Sequence, residues 1–478
     1  MPSIAALSLL PLLTLGQAAT PPTGAEPAPA SKPEASSTAL APATSAIPEE
    51  FGMPPGYTFM FAKFKSTLYG FVEADTIYDS TRSFVDLAGM NKIAPPGTES
   101  GGNGRLMFGV RNSRMGYRLE APDWHGLKAS GLLEMDFLGN QPGTPPNTGA
   151  AGSMSEGPFW NNPTFRVRHF ILKLDNDYVT LWFGQTWDLI GWQGAFQPNT
   201  VEIQGVPGEL YSRTPQIRAL HAFHFGDDAT LEVAVAALRP PQMDSMMPDF
   251  QGGLKLTLDK WTGVQTVGAT GTGIQPAAVA LSGALRQYKM ANGVTPESLS
   301  SATGWAGAAD VMIPIIPAKR RKAWALTFVG EVVDGSGDAD LYTGLNGGMS
   351  VGAPAGYPGG ASKYVPDIDP GLAGWSTTSN TLQTVNWESL MLSMQLYLPP
   401  DGKLWLAGSY SNSLSNNVGE FGGPTSVFFH EVWWDAMLFA DVTPAVRLGF
   451  ELANYNVTYG SGVQAPDWRG QFSAFYIF

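Results

Sequence analysis

Ser389-Leu390-Met391-Leu392-Ser393-Met394-Gln395-Leu396-Tyr397-Leu398 reads in twos. Leu390, Leu392, Met394, Leu396 and Leu398 fall on one side of an extended chain and Ser389, Ser393 and Gln395 on the other, because successive side chains of a strand point to opposite faces. The pattern recurs. Leu127, Ala129, Leu133, Met135 and Phe137 oppose Lys128, Ser130, Glu134 and Asp136, and Val446, Leu448, Phe450 and Leu452 oppose Arg447 and Glu451. The chain ends with Phe472, Ala474, Tyr476 and Phe478 on one face.

A sandwich and a barrel both alternate, so the connections decide between them. Short turns at 175–178, 226–229, 399–403 and 441–445 alternate with long polar loops at 80–104, 138–164, 189–215, 334–384 and 411–425. Short turns at one end and long loops at the other are the signature of an up-and-down transmembrane barrel, and a soluble domain rarely carries structureless loops of that length. The reading is an all-β, sixteen-stranded antiparallel transmembrane barrel. Its strands lie near 66–79, 105–119, 127–137, 165–174, 179–187, 216–225, 230–238, 250–258, 279–289, 304–313, 323–333, 385–398, 404–411, 426–440, 445–459 and 469–478. Segment 264–269 stands as a candidate additional strand. Closure pairs every backbone group, which hydrocarbon requires, and sixteen strands leave an aqueous lumen. Apolar positions then meet lipid and polar positions meet pore water. Trp405, Trp433, Trp434, Tyr459 and Tyr476 suit aromatic girdles at the membrane boundaries.

Composition agrees. Of 478 residues only 14% are charged, against about a quarter in soluble proteins. The mean hydropathy is −0.05, and no stretch approaches the roughly 20 apolar residues of a spanning helix. Zero cysteine removes disulfides, thiol catalysis and Cys-ligated zinc. A net charge of −13 with no basic stripe argues against nucleic acid.

The first residues carry an apolar run at 4–15 followed by Gly16-Gln17-Ala18-Ala19, small residues of the kind a signal peptidase accepts. Residues 1–19 are therefore expected to be a signal peptide, although no Lys or Arg precedes the run. Residues 20–57, rich in Pro, Ala, Ser and Thr, read as a flexible periplasmic tail, and 58–478 as the barrel.

Several short pieces resemble known proteins. Asn112-Ser113-Arg114-Met115-Gly116-Tyr117-Arg118-Leu119-Glu120, with Gly126-Leu127-Lys128-Ala129 after a turn, resembles an early hairpin of Gram-negative general porins. The aromatic last strand ending at Phe478 resembles the signal read by outer-membrane assembly machinery. Phe183-Gly184-Gln185-Thr186-Trp187 and Arg213-Thr214-Pro215-Gln216-Ile217-Arg218 resemble the DcaP-type trimeric porins. That resemblance implies an outer-membrane homotrimer, in contact with lipid and lipopolysaccharide, admitting small hydrophilic, anionic solutes such as carboxylates. The helical N-terminal region of that family has no counterpart in the Pro-rich tail, because Pro breaks helices.

On faces assigned to the lumen lie Arg114, Arg118, Arg166, Arg168, Arg218 and Arg286. Arginine rings suit anion pores because the guanidinium stays charged and offers a fork of donors. Glu73, Asp75, Glu134 and Asp136 are expected to oppose them and set a transverse field. The alternative is simple wall pairing across strands. Loop 189–215, with Glu202, Glu209 and Arg213, is the candidate to fold inward and narrow the pore.

The competing classes are weaker. His125, His169, His221, His224 and His430 are scattered, and neither G-x-S-x-G nor H-E-x-x-H occurs, so neither an enzyme nor a metal or cofactor site is expected. An adhesin or structural barrel would bind partners through its long loops. In such loops Asp334, Asp338, Asp340, Asp367 and Asp369 read as solvated charge or as bridges through divalent cations to lipopolysaccharide phosphates.

Overall fold

The computed structural model describes residues 56–88, 93–139, 163–201, 205–242, 245–268, 270–292, 298–318, 321–343, 357–363, 368–369, 371–376, 378–421 and 427–478. The expected signal peptide and all but the last two residues of the tail lie outside the described residues.

Among the described residues, sixteen antiparallel strands close into a barrel. They are β1 (Phe64–Asp79), β2 (Arg105–Gly109 continued by Arg114–Glu120), β3 (Lys128–Asp136), β4 (Arg166–Asp175), β5 (Thr180–Trp187), β6 (Arg213–Phe225), β7 (Ala229–Leu238) and β8 (Asp249–Val267). The circuit goes on with β9 (Gly271–Ala291), β10 (Leu299–Ile316), β11 (Leu326–Ser336), β12 (Asn386–Tyr397), β13 (Leu404–Leu414), β14 (Phe428–Thr443), β15 (Val446–Tyr459) and β16 (Gln464–Ile477). Each strand pairs with the next, and β1 pairs with β16 from Phe71↔Ile477 to Asp79↔Arg469. Across that seam Arg469 Nε and Nη2 donate to Asp79 at 2.7 and 2.9 Å. This fork-to-fork geometry suits arginine and a carboxylate. Closure leaves no long free edge, which answers both the hydrocarbon and the aggregation problem of a sheet this size.

A further strand, Tyr57–Phe61, was not expected from the sequence. It pairs with the first residues of β1 (Tyr57↔Leu68 to Phe61↔Phe64) and continues the wall beyond Phe478, whose backbone exchanges hydrogen bonds of 2.9 and 3.0 Å with Gly70. β2 is interrupted at 110–113, where Arg111, Asn112 and Ser113 are buried. A local insertion of this kind re-aims side chains in a barrel wall.

The expected segment 264–269 is not an extra strand: residues 264–267 extend β8, which pairs with β9 in one tall hairpin down to Val267↔Gly271, with a register shift between Leu258 and Thr262, and Ala269 lies outside the described residues. Pro276 faces that shift, and proline, lacking an N–H, sits naturally where a ladder is broken.

Period two separates the faces as read. In β12 Leu390, Leu392, Met394 and Leu396 face outward, while Ser389, Ser393 and Gln395 are buried inside. Two details differ. Trp434 and Tyr476 point outward, but Trp405, Trp433 and Tyr459 are almost fully buried in the lumen; adjacent Trp433 and Trp434 must diverge on a strand. Trp405 stacks on Phe439 at 4.1 Å and on Tyr397 at 5.3 Å. The lumen is also not polar all round. Ala234, Ala236, Ala280, Ala284, Ala306 and Ala308 of β7, β9 and β10 form one apolar cluster with Leu189, Ile190, Trp192, Phe196, Val206 and Leu210. These short side chains leave room for the loop after β5 to lie against the wall.

Candidate functional site

The described parts of the 188–212 loop, 188–201 after β5 and 205–212 before β6, lie inside the lumen. Their backbone is held by side chains of the wall. Gln251 Oε1 accepts from the N–H groups of Leu189 and Ile190 at 2.7 and 3.0 Å. Glu331 Oε1 accepts from Leu210 N at 2.8 Å, and Glu451 Oε2 from Val201 N at 2.8 Å. A loop inside a barrel lacks a ladder, so its N–H groups need such partners. Glycine makes the approach possible: a Cβ on Gly253 would stand 2.7 Å from Trp192 Nε1, and one on Gly449 would stand 2.9 Å from Val201 Cγ2.

On the side of β1 to β5 a space remains, lined by Phe71, Arg114, Glu134, Arg168, His169 and Trp187 of the wall. Across it stand Gln197, Pro198, Thr200, Gly205, Glu209 and Tyr211 of the loop, with Val267, Gly268, Thr270 and Gly271 at the tip of the β8–β9 hairpin.

Hairpin register builds its charge. Arg114↔Asp136, Glu134↔His169 and Asp136↔Arg166 are cross-strand partners on β2, β3 and β4. Arg168 Nε meets Glu134 Oε1 at 2.9 Å and its Nη1 meets Asp136 Oδ2 at 3.1 Å. Arg166 Nη2 reaches the same Asp136 oxygen at 2.7 Å, and Arg114 Nε stands 3.6 Å from Glu134. Tyr69 donates to Glu134 at 2.8 Å. Arg213, at the start of β6, lies over the Trp187 ring at 4.5 Å and the Tyr211 ring at 5.2 Å. Four guanidinium groups thus surround two carboxylates. Arg114 Nε and Arg213 Nη1 are buried without a hydrogen-bond acceptor. Buried donors left unmatched call for a ligand or water.

Two loop groups respond. Burial acts to raise the Tyr211 phenol, but Arg168, Arg213 and Arg114 beside it outweigh that and hold it below its usual range. Burial pushes the Glu209 carboxyl well above its usual value, and the 2.9 Å hydrogen bond from Val206 N offsets this only in part.

The other residues singled out by sequence fall elsewhere. Arg118, on the same strand as Arg114, pairs in register with Leu132 and Thr67 and does not line the space. Arg218 donates to Trp187 O at 2.5 Å and to Gln216 at 3.0 Å, and lies over Trp182 at 5.1 Å. Arg286 is buried between Asp249, at 2.7 Å, and Asp340, at 2.5 Å, and fastens the loop after β11 to the wall. Glu73 and Asp75 are covered by the 110–113 insertion, where Asn112 donates to Asp75 at 2.9 Å. The acids thus stand among the arginines or apart from them, not across the lumen as a separate set. Glu202 lies outside the described residues. In the 334–384 loop Asp338 is buried and Asp340 is committed to Arg286, so neither is solvated loop charge; Asp367 lies outside the described residues. Tyr69 and Tyr211 carry no signal in the sequence, and Trp187 stands there only as part of the Phe183–Trp187 motif, because aromatic residues are spread along the whole chain.

No protein-family model and no curated protein matches the sequence. Among solved structures the fold is similar to that of the outer membrane channel DcaP of Acinetobacter baumannii, with 16% identity, 88% of this chain and 99% of that chain covered, and a TM-score of 0.62. OmpF of Salmonella typhi, in complex with daunomycin, aligns at 12% identity over 88% and 100% of the chains with a TM-score of 0.49. An anion-selective porin from Comamonas acidovorans aligns at 12% over 87% and 100% with a TM-score of 0.47. The resemblance of the short motifs to DcaP-type proteins is matched by the likeness of the fold to that of the DcaP channel.

Proposed function

We propose that the protein is an outer-membrane porin, a water-filled channel for passive diffusion of small hydrophilic solutes, and that it favours anions carrying carboxylates. The observation that carries this reading is the space between β1–β5 and the 188–212 loop, lined by Arg114 and Arg168 and backed by Arg166 and Arg213: the four outnumber Glu134 and Asp136, and Arg114 Nε and Arg213 Nη1 are buried donors without a hydrogen-bond acceptor. A guanidinium fork offers a passing carboxylate two parallel hydrogen bonds. Desolvation in a narrow passage strengthens each interaction relative to open water.

The outward face supports a membrane setting. Val72, Tyr78, Leu106, Phe108, Phe170, Ile217, Val235, Leu281 and Phe450 are large, apolar and exposed on the barrel exterior, as a lipid-facing band requires. Export through residues 1–19 and a periplasmic tail over 20–57 belong to the same proposal and rest on the composition and patterning of those residues, while contact with lipopolysaccharide and a homotrimeric assembly rest on the sequence resemblance. Swelling of liposomes carrying the purified protein tests it: small carboxylates should enter faster than sugars of equal size and faster than cations. Equal rates for all three would remove the anionic part of the reading, and no swelling with any solute would remove the porin.

A further inference from the structure

The β8–β9 hairpin does not simply stand at the short-turn end of the barrel. Beyond the irregularity at Leu258 and Thr262 it bends into the lumen, where Val264, Gln265, Thr266 and Thr272 are almost completely buried. Its partners lie on distant strands. Thr266 N donates to Gln395 Oε1 of β12 at 2.8 Å, and Gln395 Nε2 donates to Thr266 O at 2.8 Å. Arg447 Nη2 of β15 donates to Thr272 Oγ1 at 3.1 Å, and Thr327 Oγ1 of β11 donates to Val264 O at 2.7 Å. The tip also meets the loop that enters from the opposite end. Gly268 N donates to Pro198 O at 3.2 Å, Gln265 Nε2 to Gln197 O at 3.0 Å, and Asn199 Nδ2 to Gly268 O.

We infer that this hairpin is a second constriction element, which joins the 188–212 loop into one partition across the lumen and sets the upper size of the solute that passes. The inference rests on the porin reading. A sixteen-stranded wall alone would leave a wide channel. Here the two inserted elements pack against the side of β7 to β15, and the space that remains is bounded by Val267, Gly268, Thr270 and Gly271 of the hairpin tip and by Phe71, Arg114 and Arg168 of the wall. Size and charge selection are thereby divided. The hairpin tip contributes no ionisable group to the path, so it limits width, while the arginines of β2 and β4 choose the sign.

Two variants of the full chain test this, each first shown to be folded by its heat-modifiable gel mobility. In one, residues 259–276 are replaced by an Asn-Gly turn joining Leu258 to its cross-strand partner Ala277, a turn suited to antiparallel strands. In the other, Thr270→Trp places a large ring at the tip. Single-channel conductance in planar bilayers should rise about twofold or more in the shortened protein and fall by about half in Thr270→Trp, as expected where a constriction controls flow. The shortened protein should also admit larger neutral sugars in liposome swelling. The ratio of anion to cation permeability should stay the same in both. Unchanged conductance in Thr270→Trp, with the starting protein conducting, would overturn the inference, and this variant keeps the test decisive if the shortened protein fails to fold. Absence of conductance in the starting protein would instead remove the porin reading.

Discussion

Thr266 and Gln395 clasp one another across the barrel lumen: the amide of Gln395 accepts from Thr266 N and donates to Thr266 O, both at 2.8 Å. One side chain on β12 thus stands in for a missing strand, satisfying both backbone groups of a residue on β8 that has left the wall. The clasp joins the hairpin to the far wall.

Gln395→Ala breaks it. Two buried backbone groups lose their partners, each at a cost of about 1–3 kcal/mol. The folded barrel should lose stability by that order in thermal unfolding followed by gel mobility. Its open-channel current should become noisier, because the hairpin then keeps only its contacts with the 188–212 loop, Arg447, Thr327 and Tyr397. Stability and current noise equal to the starting protein would show that the clasp holds nothing.

The arginine cluster should govern sign. At 4 Å in water-like surroundings a unit charge is worth about 1 kcal/mol, and about 1.4 kcal/mol is a factor of ten. Replacing Arg166 and Arg168 together by Ala leaves Arg114 and Arg213 against Glu134 and Asp136. The anion-to-cation permeability ratio, read from zero-current potentials, should fall by about tenfold or more. An unchanged ratio would reduce the cluster to wall pairing.

Arg286 is the counter-case. It faces the lumen, as the sequence suggests, but is committed to Asp249 and Asp340. Arg286→Ala leaves the buried Asp249 and the half-buried Asp340 without their cation and should destabilise the barrel by about 3 kcal/mol, while the permeability ratio stays as it was. A changed ratio with unchanged stability would place Arg286 in the conduction path.

Glu209 supplies a pH dependence. Burial holds its carboxyl well above the usual 4.5, so it is neutral in the folded protein at pH values where a free glutamate is charged. As pH rises from 4.5 through the raised value, a negative charge appears in the space shared with Arg114, Arg168, Glu134, His169 and Tyr211. Folding stability falls over that window, because the unfolded chain has already ionised and the folded one resists. Anion preference should weaken in the same direction. Glu209→Gln should flatten this component of both profiles, and a selectivity profile identical in Glu209→Gln and the starting protein would exclude Glu209 as its source.

The sixteen strands were legible because an outer and an inner face of different chemistry impose period two on every strand and because the connections alternate in length. Segment 264–269 was not placed, since a strand that bends inward keeps the same alternation as a strand that begins anew. Trp405 and Trp433 were assigned to the wrong surface for a related reason: alternation says that two faces differ, but not that one of them is packed by inserted loops. Arg166 and Arg168 could be put on lumen faces from sequence. Their intimacy with Glu134 and Asp136 could not, because it depends on hairpin register and on the irregularity between Glu134 and Met135, which residue types alone do not encode.

The zero-current potential of the purified full-length protein in a planar bilayer, under a potassium chloride gradient, tests the central claim most directly. Discrete conductance steps with a potential of the sign produced by faster chloride passage are predicted. Steps with the opposite sign, or a bilayer that stays silent, would contradict it.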